Sequence, residues 1–227
     1  MRIGIIYAME QEGLLLLQKL EKHQIEIKDN LEFHVGNINK NEIIIVKSGI
    51  GKVNAAIHVS YLNFLYHPDL IINTGIAGGS KNLVTKDVII ADKIYYNDVD
   101  AMIFGYQFGT VPGMPDFYET DKNYREQIKN ILNNNHIPFK EEKIFSGDTF
   151  ILSEEQIRNR EGDFACDMEG ASIAQTCFRL NVPFVLIRFV SDILDSPNHV
   201  EDYHQFETEM SQLSSKITSL VLEKIKA

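Results

Sequence analysis

The sequence predicts an α/β fold in which a largely parallel sheet is covered by helices on both faces, and three observations carry that prediction. Apolar runs of strand length alternate with amphipathic stretches of helix length. Strand-like runs are apolar on both faces, as strands buried between helical layers must be. No linker, low-complexity tract or internal repeat divides the chain, so residues 1–227 read as one domain.

The elements follow in order. Ile3 to Tyr7 is a compact apolar strand. Gln11 to Lys22 places Leu14, Leu15, Leu17 and Leu20 at helical spacing. Glu32 to Val35 and Ile43 to Val46 read as strands, and Val53 to Tyr66 as a helix. Leu70 to Asn73 is a buried strand closed by Thr74-Gly75. Val88 to Tyr96, rich in β-branched and aromatic residues, is a long strand. Tyr124 to Asn133 is a helix, Lys143 to Ser146 a strand ended by Gly147, and Phe164 to Met168 a short strand. Ala171 to Leu180 is a helix, Phe184 to Val190 the most apolar strand, and Met210 to Ile225 a terminal amphipathic helix.

Composition narrows the function. The 227 residues are 44% hydrophobic and 24% charged, ordinary values for a globular chain. Lys and Arg number 22 against 32 Asp and Glu, a net charge of −10 that argues against nucleic acid, which needs a basic face. Cys166 and Cys177 fall inside predicted regular elements and read as buried, reduced thiols. Neither they nor the seven histidines form a metal-ligand pattern, so neither metal nor cofactor is expected. No apolar run approaches the ~18 residues of a membrane span. Met1 to Met9, followed at once by Glu10 and Glu12, reads as a first strand and not a signal peptide, which points to the cytoplasm.

Three acids stand just after strands: Glu12, Glu169 and Asp192. In open parallel sheets ligands bind outside the carboxyl ends of the strands. Any one acid there is ordinarily a cap or a solvated first-turn charge; three converging at one sheet edge would be a site. Two glycine-rich turns accompany them, Gly49-Ile50-Gly51-Lys52 and Gly75-Ile76-Ala77-Gly78-Gly79. Neither is a P-loop, and Asn54 breaks a dinucleotide fingerprint. They read either as tight turns needing positive φ or as places where backbone approaches a sugar or anion. Residues Ala101 to Tyr118 form a long loop with Phe104, Tyr106, Phe108, Phe117 and Tyr118 among glycines and prolines. It reads as a ligand lid or subunit contact, or as a self-packed loop.

These segments carry a resemblance. Ile3-Gly4-Ile5-Ile6 through Ala8-Met9-Glu10-Gln11-Glu12, Lys47-Ser48-Gly49-Ile50-Gly51-Lys52-Val53 and Ile71-Ile72-Asn73-Thr74-Gly75 with Ala77-Gly78-Gly79 come first. Phe104-Gly105-Tyr106, Ser146-Gly147-Asp148 with Phe150-Ile151, Met168-Glu169, and Val182-Pro183-Phe184-Val185 with Arg188 and Ser191-Asp192 follow in the same order. Together they resemble the 5′-methylthioadenosine/S-adenosylhomocysteine nucleosidases of the nucleoside phosphorylase-like superfamily. The resemblance implies a three-layer α/β/α fold around a central, mixed, mostly parallel twisted sheet. It implies hydrolysis of the N-glycosidic bond of a 5′-thio-substituted adenosine, a small nucleoside substrate, and a homodimer.

It also implies roles. Asp192 would protonate the departing purine, with Ser191 positioning it. Glu12 would activate water, and Glu169 would hold the ribose hydroxyls. Phe150 would stack on the purine and the backbone of Ile151 read its edge. Met9, Ile50 and Met168 would line the sugar and alkylthio pocket beside Ile76, Ala77 and Gly78. Arg188 would lie in the binding region, and Tyr203 would close over the ligand. Phe104, Tyr106 and Pro112 would reach the neighbouring subunit's site.

Departures from the family pattern bear on the reaction. Ile76 stands where a small polar residue is frequent, which removes a hydroxyl and disfavours an anion. Asp167 replaces a common Glu, Gly170 a common Ala, and Tyr7 a usual glycine. No arginine falls between Arg2 and Arg125, where phosphorylases commonly place one for phosphate. Water is therefore the expected nucleophile. The rivals are a phosphate-dependent nucleoside phosphorylase, a hydrolase of a related nucleoside, and a catalytically silent nucleoside-binding protein.

Overall fold

Strand β1 (Arg2–Tyr7) leads through helix α1 (Glu10–Gln18) to β2 (Glu21–Lys28), β3 (Leu31–Ile38) and β4 (Asn41–Lys47) in the computed structural model, which describes residues 1–158, 161–197 and 199–226. Helix α2 (Lys52–Tyr66) joins β4 to β5 (Leu70–Gly79). Then come β6 (Val88–Tyr96), the short β7 (Tyr118–Glu119), α3 (Lys122–Asn134), β8 (Lys140–Ser146), β9 (Phe164–Asp167), α4 (Gly170–Leu180), β10 (Phe184–Ile193) and α5 (His199–Lys224).

Alternation in the apolar strands sets the layers. Ile3 and Ile5 of β1 belong to a core shared with Leu16 of α1, Ile128 and Leu132 of α3, and Ile217 and Val221 of α5. Ile6 belongs to a second core, with Val59 and Leu62 of α2 and Ile173 and Cys177 of α4. Side chains of successive strand residues point to opposite faces, so α1, α3 and α5 cover one face of the sheet and α2 and α4 the other. Gly4 lets α2 come close, because a Cβ there would lie 2.5 Å from Leu62 Cδ2.

The sheet is mixed. β1–β4, β1–β5, β5–β10, β6–β8 and β8–β9 pair in parallel, and β2, β3 and β7 enter antiparallel. On the far side of β5 the strands close on themselves: β5 pairs β10, β10 pairs β6, β6 pairs β8, β8 pairs β9, and β9 returns to β5. The length of β5 makes this possible. β1 occupies one of its edges from Leu70 to Asn73, and β9 occupies Gly78 and Gly79 further along.

Five elements differ from the expectation. Helix α1 ends at Gln18, and β2 is a strand that went unread because its only apolar alternation, Ile25 and Ile27, is two residues long and its first residues read as the end of the helix; both isoleucines are exposed. β5 runs on through Gly75 to Gly79 instead of turning, since β10 pairs along its whole second half. β10 likewise continues to Ile193. α5 begins at His199, eleven residues before Met210; its polar first turns conceal helical spacing.

Small residues let α5 lie against β5. Thr74 Oγ1 is 2.8 Å from both Ser214 Oγ and Thr218 Oγ1, with all three residues buried. Thr74→Val keeps the shape but deprives two buried hydroxyls of a partner. The expected cost is about 1–3 kcal/mol, seen as a lower urea midpoint at unchanged m-value.

Candidate active site

Between the ends of β1 and β9, residues 74–77 of β5 have no strand on that edge. A cavity opens beside this stretch. Glu12 fills part of the vacant edge. It is the third residue of α1, and its Oε2 accepts the N–H groups of Ala8 (2.9 Å) and Met9 (3.0 Å), as a carboxylate that caps a helix does. Its Oε1 accepts the Ile76 N–H at 2.9 Å, where a strand partner would otherwise bond. The capping role and the site role therefore coincide in one side chain. Burial raises the Glu12 carboxyl above its ordinary range, against the pull of the three N–H donors and Arg188. Gly75 is required by this approach: a Cβ there would lie 2.6 Å from Glu12 Oε1.

Glu169 stands at the N-cap of α4, yet its side chain makes no cap hydrogen bond. Its Oε1 accepts the Gly51 N–H at 2.8 Å. Gly51 is the N-cap of α2 with φ +101°, so the first of the two glycine segments is indeed a turn of the kind that favours glycine. The start of α2 thus gives the Gly51 N–H to Glu169 and the Lys52 N–H to Asp148 Oδ1 at 2.9 Å, as the N-terminus of a helix favours anions. Burial, then the charge of Asp167, push the Glu169 carboxyl up to about 7, with the Gly51 N–H and Arg188 opposing.

Asp192 lies within β10 and not after it. The register against β5 slips between Val190 and Asp192, so Ser191 is an inserted residue that re-aims its neighbour. Ser191 Oγ donates to Asp192 Oδ1 at 2.5 Å. A Cβ at Gly78 would lie 2.9 Å from Asp192 Oδ2, so the second glycine segment serves close approach by acids and is no turn.

The cavity is lined by all three carboxylates together with Met9, Ile50, Ile76, Ala77, Gly78, Phe150, Ile151, Met168, Ser191 and Tyr203 of the expected set. Tyr203 crosses from α5: its ring packs edge-on against Phe150 at 5.4 Å and its hydroxyl lies 3.7 Å from Met9 Sδ. Ala8, Thr149, Cys166 and Asp167 also line it. Ala8, Thr149 and Cys166 were missed because a small residue, a hydroxyl and a buried thiol carry no positional signal in the chain. Cys166 and Cys177 are both buried and free.

Four expected residues lie outside this lining. Arg188 is buried, and its guanidinium is taken by Asp167, Asn73 and the Ile187 carbonyl, so the cation is not offered to a ligand. Phe104, Tyr106 and Pro112 belong to the long loop, where Ile103 and Phe104 are 88% and 79% exposed. Among the described residues, no cluster of three or more His, Cys, Asp or Glu side chains is placed to hold a metal, and no helix is long and apolar enough to cross a membrane.

Comparison with known proteins agrees with this architecture. The phosphorylase superfamily profile matches residues 2–223. The 5′-methylthioadenosine/S-adenosylhomocysteine nucleosidase of Staphylococcus saprophyticus is 38% identical over 98% of this chain and 100% of its own length. That of Halalkalibacterium halodurans is 41% identical over 99% of each. Among solved structures, S-adenosylhomocysteine nucleosidase from Streptococcus pyogenes in complex with 5-methylthiotubericidin superposes with TM-score 0.93 at 34% identity, covering 100% of this chain and 98% of that one. The Streptococcus pneumoniae nucleosidase with the transition-state inhibitor MT-ImmA gives TM-score 0.93 at 34% identity over 100% of both. The chain therefore belongs to the phosphorylase superfamily and, within it, to the 5′-methylthioadenosine/S-adenosylhomocysteine nucleosidases, which are purine N-glycosyl hydrolases.

Proposed function

We propose that the protein hydrolyses 5′-methylthioadenosine and S-adenosylhomocysteine to adenine and the corresponding 5′-thioribose. One observation carries the reading beyond family membership: three carboxylates from distant parts of the chain line a single cavity. Breaking a purine N-glycosidic bond needs a proton for the leaving base and a nucleophile for a sugar that becomes cationic. Asp192, steadied by Ser191, gives the proton to the purine as the bond cleaves. Glu12 takes a proton from water as its oxygen bonds to the sugar carbon. Glu169 accepts hydrogen bonds from the ribose hydroxyls, an interaction that strengthens as positive charge grows on the ring. The division of labour is that of glycosidases, with one carboxyl for the leaving group and another for water.

The surrounding side chains fit a purine nucleoside. Phe150 stacks on the base and the Ile151 backbone reads its edge, while Met9, Ile50 and Met168 take the sugar and alkylthio group and Tyr203 closes over them. Water is favoured over phosphate because the lining carries no cationic side chain among the described residues and Arg188 is committed elsewhere. A dimer would complete the site, with Phe104, Tyr106 and Pro112 entering the neighbour's cavity. Exposed apolar side chains support such a contact: Val53 and Phe64 on α2, Phe178 on α4, and Met102, Ile103 and Phe104 on the loop.

Four measurements test this reading. Purified protein given 5′-methylthioadenosine should release adenine at the same rate with and without phosphate; release that requires phosphate would make it a phosphorylase. Asp192→Asn should lose about 10²–10⁴-fold in kcat, the range of a missing general acid, with an unchanged circular dichroism spectrum. Gly75→Ala should displace Glu12 and cost about 10²-fold in kcat, as misplacing a reacting group by an ångström does. Light scattering should give twice 25.9 kDa, and a monomer mass would refute the shared site.

A further inference from the structure

A chain of buried polar groups runs beneath the cavity through β1, β5, β9, β10 and the start of α4. Asn73 of β5 donates from Nδ2 to the Ile6 carbonyl of β1 at 3.0 Å, and its Oδ1 accepts Arg188 Nη2 from β10 at 2.5 Å. Arg188 donates to Asp167 Oδ2, at the end of β9, through Nε (2.9 Å) and Nη2 (2.6 Å). Asp167 Oδ1 accepts the N–H of Gly170, the first residue of α4, at 3.1 Å. Both charged side chains are 2% exposed. Buried ion pairs seldom add much net stability, so the value of this one lies in the geometry it imposes.

The fit at the start of α4 is narrow. A Cβ at position 170 would lie 2.6 Å from Asp167 Oδ2, 2.9 Å from Leu186 Cδ1 and 3.0 Å from Ser146 Oγ. Gly170 has no unusual φ; it is glycine because the Asp167 carboxylate occupies the space of a side chain. The short acid and the glycine, two departures noted in the sequence, are one packing unit, and Glu169 sits in the turn between them.

We infer that Asp167 is a positioning residue for Glu169: by binding Arg188 and the Gly170 N–H together, it holds the turn that carries Glu169 and keeps the guanidinium directed away from that carboxylate. The inference rests on the substrate-holding role proposed for Glu169. Glu169 faces Asp167 from β9, Arg188 from β10, Glu12 from α1, Tyr203 from α5 and the Gly51 N–H ahead of α2. The charge of Asp167 raises the Glu169 carboxyl and Arg188 lowers it. Removing the Asp167 charge deletes the first influence and strengthens the second, so Glu169 should titrate lower.

The test follows kcat/KM for 5′-methylthioadenosine against pH in wild type and Asp167→Asn. Alongside it, the carboxyl 13C titration of Glu169 is read, assigned by its loss in Glu169→Gln. Both midpoints should fall by about half a pH unit or more. An unmoved midpoint with activity lowered at every pH would mean a merely structural role and overturns the inference. Gly170→Ala leaves all charges in place and decides the matter if Asp167→Asn fails to fold. It should lose about tenfold or more in kcat/KM through displacement alone. Asp167→Glu combined with Gly170→Ala should recover part of that loss, because the longer acid reaches Arg188 past the new methyl. A fully active Gly170→Ala, or a double variant no better than the single one, overturns the packing unit. If wild type releases no adenine, the proposed function fails, while the 13C titration, which needs no substrate, still decides for or against Asp167.

Discussion

The site depends on β5 being longer than the strand beside it. β1 pairs with β5 only as far as Asn73, and β9 takes up the same edge again at Gly78. The interval leaves backbone donors that neither strand can satisfy, and a buried N–H without a partner is costly. Glu12 meets that demand at Ile76. The carboxylate is thereby drawn into the sheet edge and fixed to within the tolerance of three hydrogen bonds. A gap in the ladder and a held carboxylate are two aspects of one constraint.

The other two acids are placed by equally local devices that act across long sequence distances. Asp192 is aimed by a bulge that inserts Ser191 into β10, where its pairing with β5 shifts register. Glu169 is held by the Gly51 N–H, 118 positions earlier in the chain. Glycines stand opposite these acids because each acid occupies the volume a side chain would need. Gly75 faces Glu12, Gly78 faces Asp192, and Gly170 faces Asp167.

Burial then gives these acids their chemical character. Taking a carboxylate out of water favours its neutral form, and Glu12 and Glu169 are both raised for that reason first. Backbone donors and the buried Arg188 oppose the rise in both. Arg188 contributes from beneath the floor of the site, its hydrogen bonds spent on Asp167, Asn73 and its own strand, so it shapes the field without presenting a charge to the ligand.

The sequence by itself determined the α/β class and the order of most strands and helices, because two-sided apolar runs such as Phe184 to Val190 have few other ways to be buried. It also marked Glu12, Glu169 and Asp192, since acids after buried strands are conspicuous. Only the tertiary structure decided that Gly75 to Gly79 is a strand and not a turn, because pairing with β10 is non-local and overrides the turn preference of glycine. Exposed β2, with only Ile25 and Ile27 alternating, was too weak a pattern to read, because it gains its place from hydrogen bonds to β3 and not from burial. The turning of Arg188 away from the cavity likewise depended on partners far along the chain. Local composition records what a residue can do; the long-range pairings of β5 decide which residues it does it with.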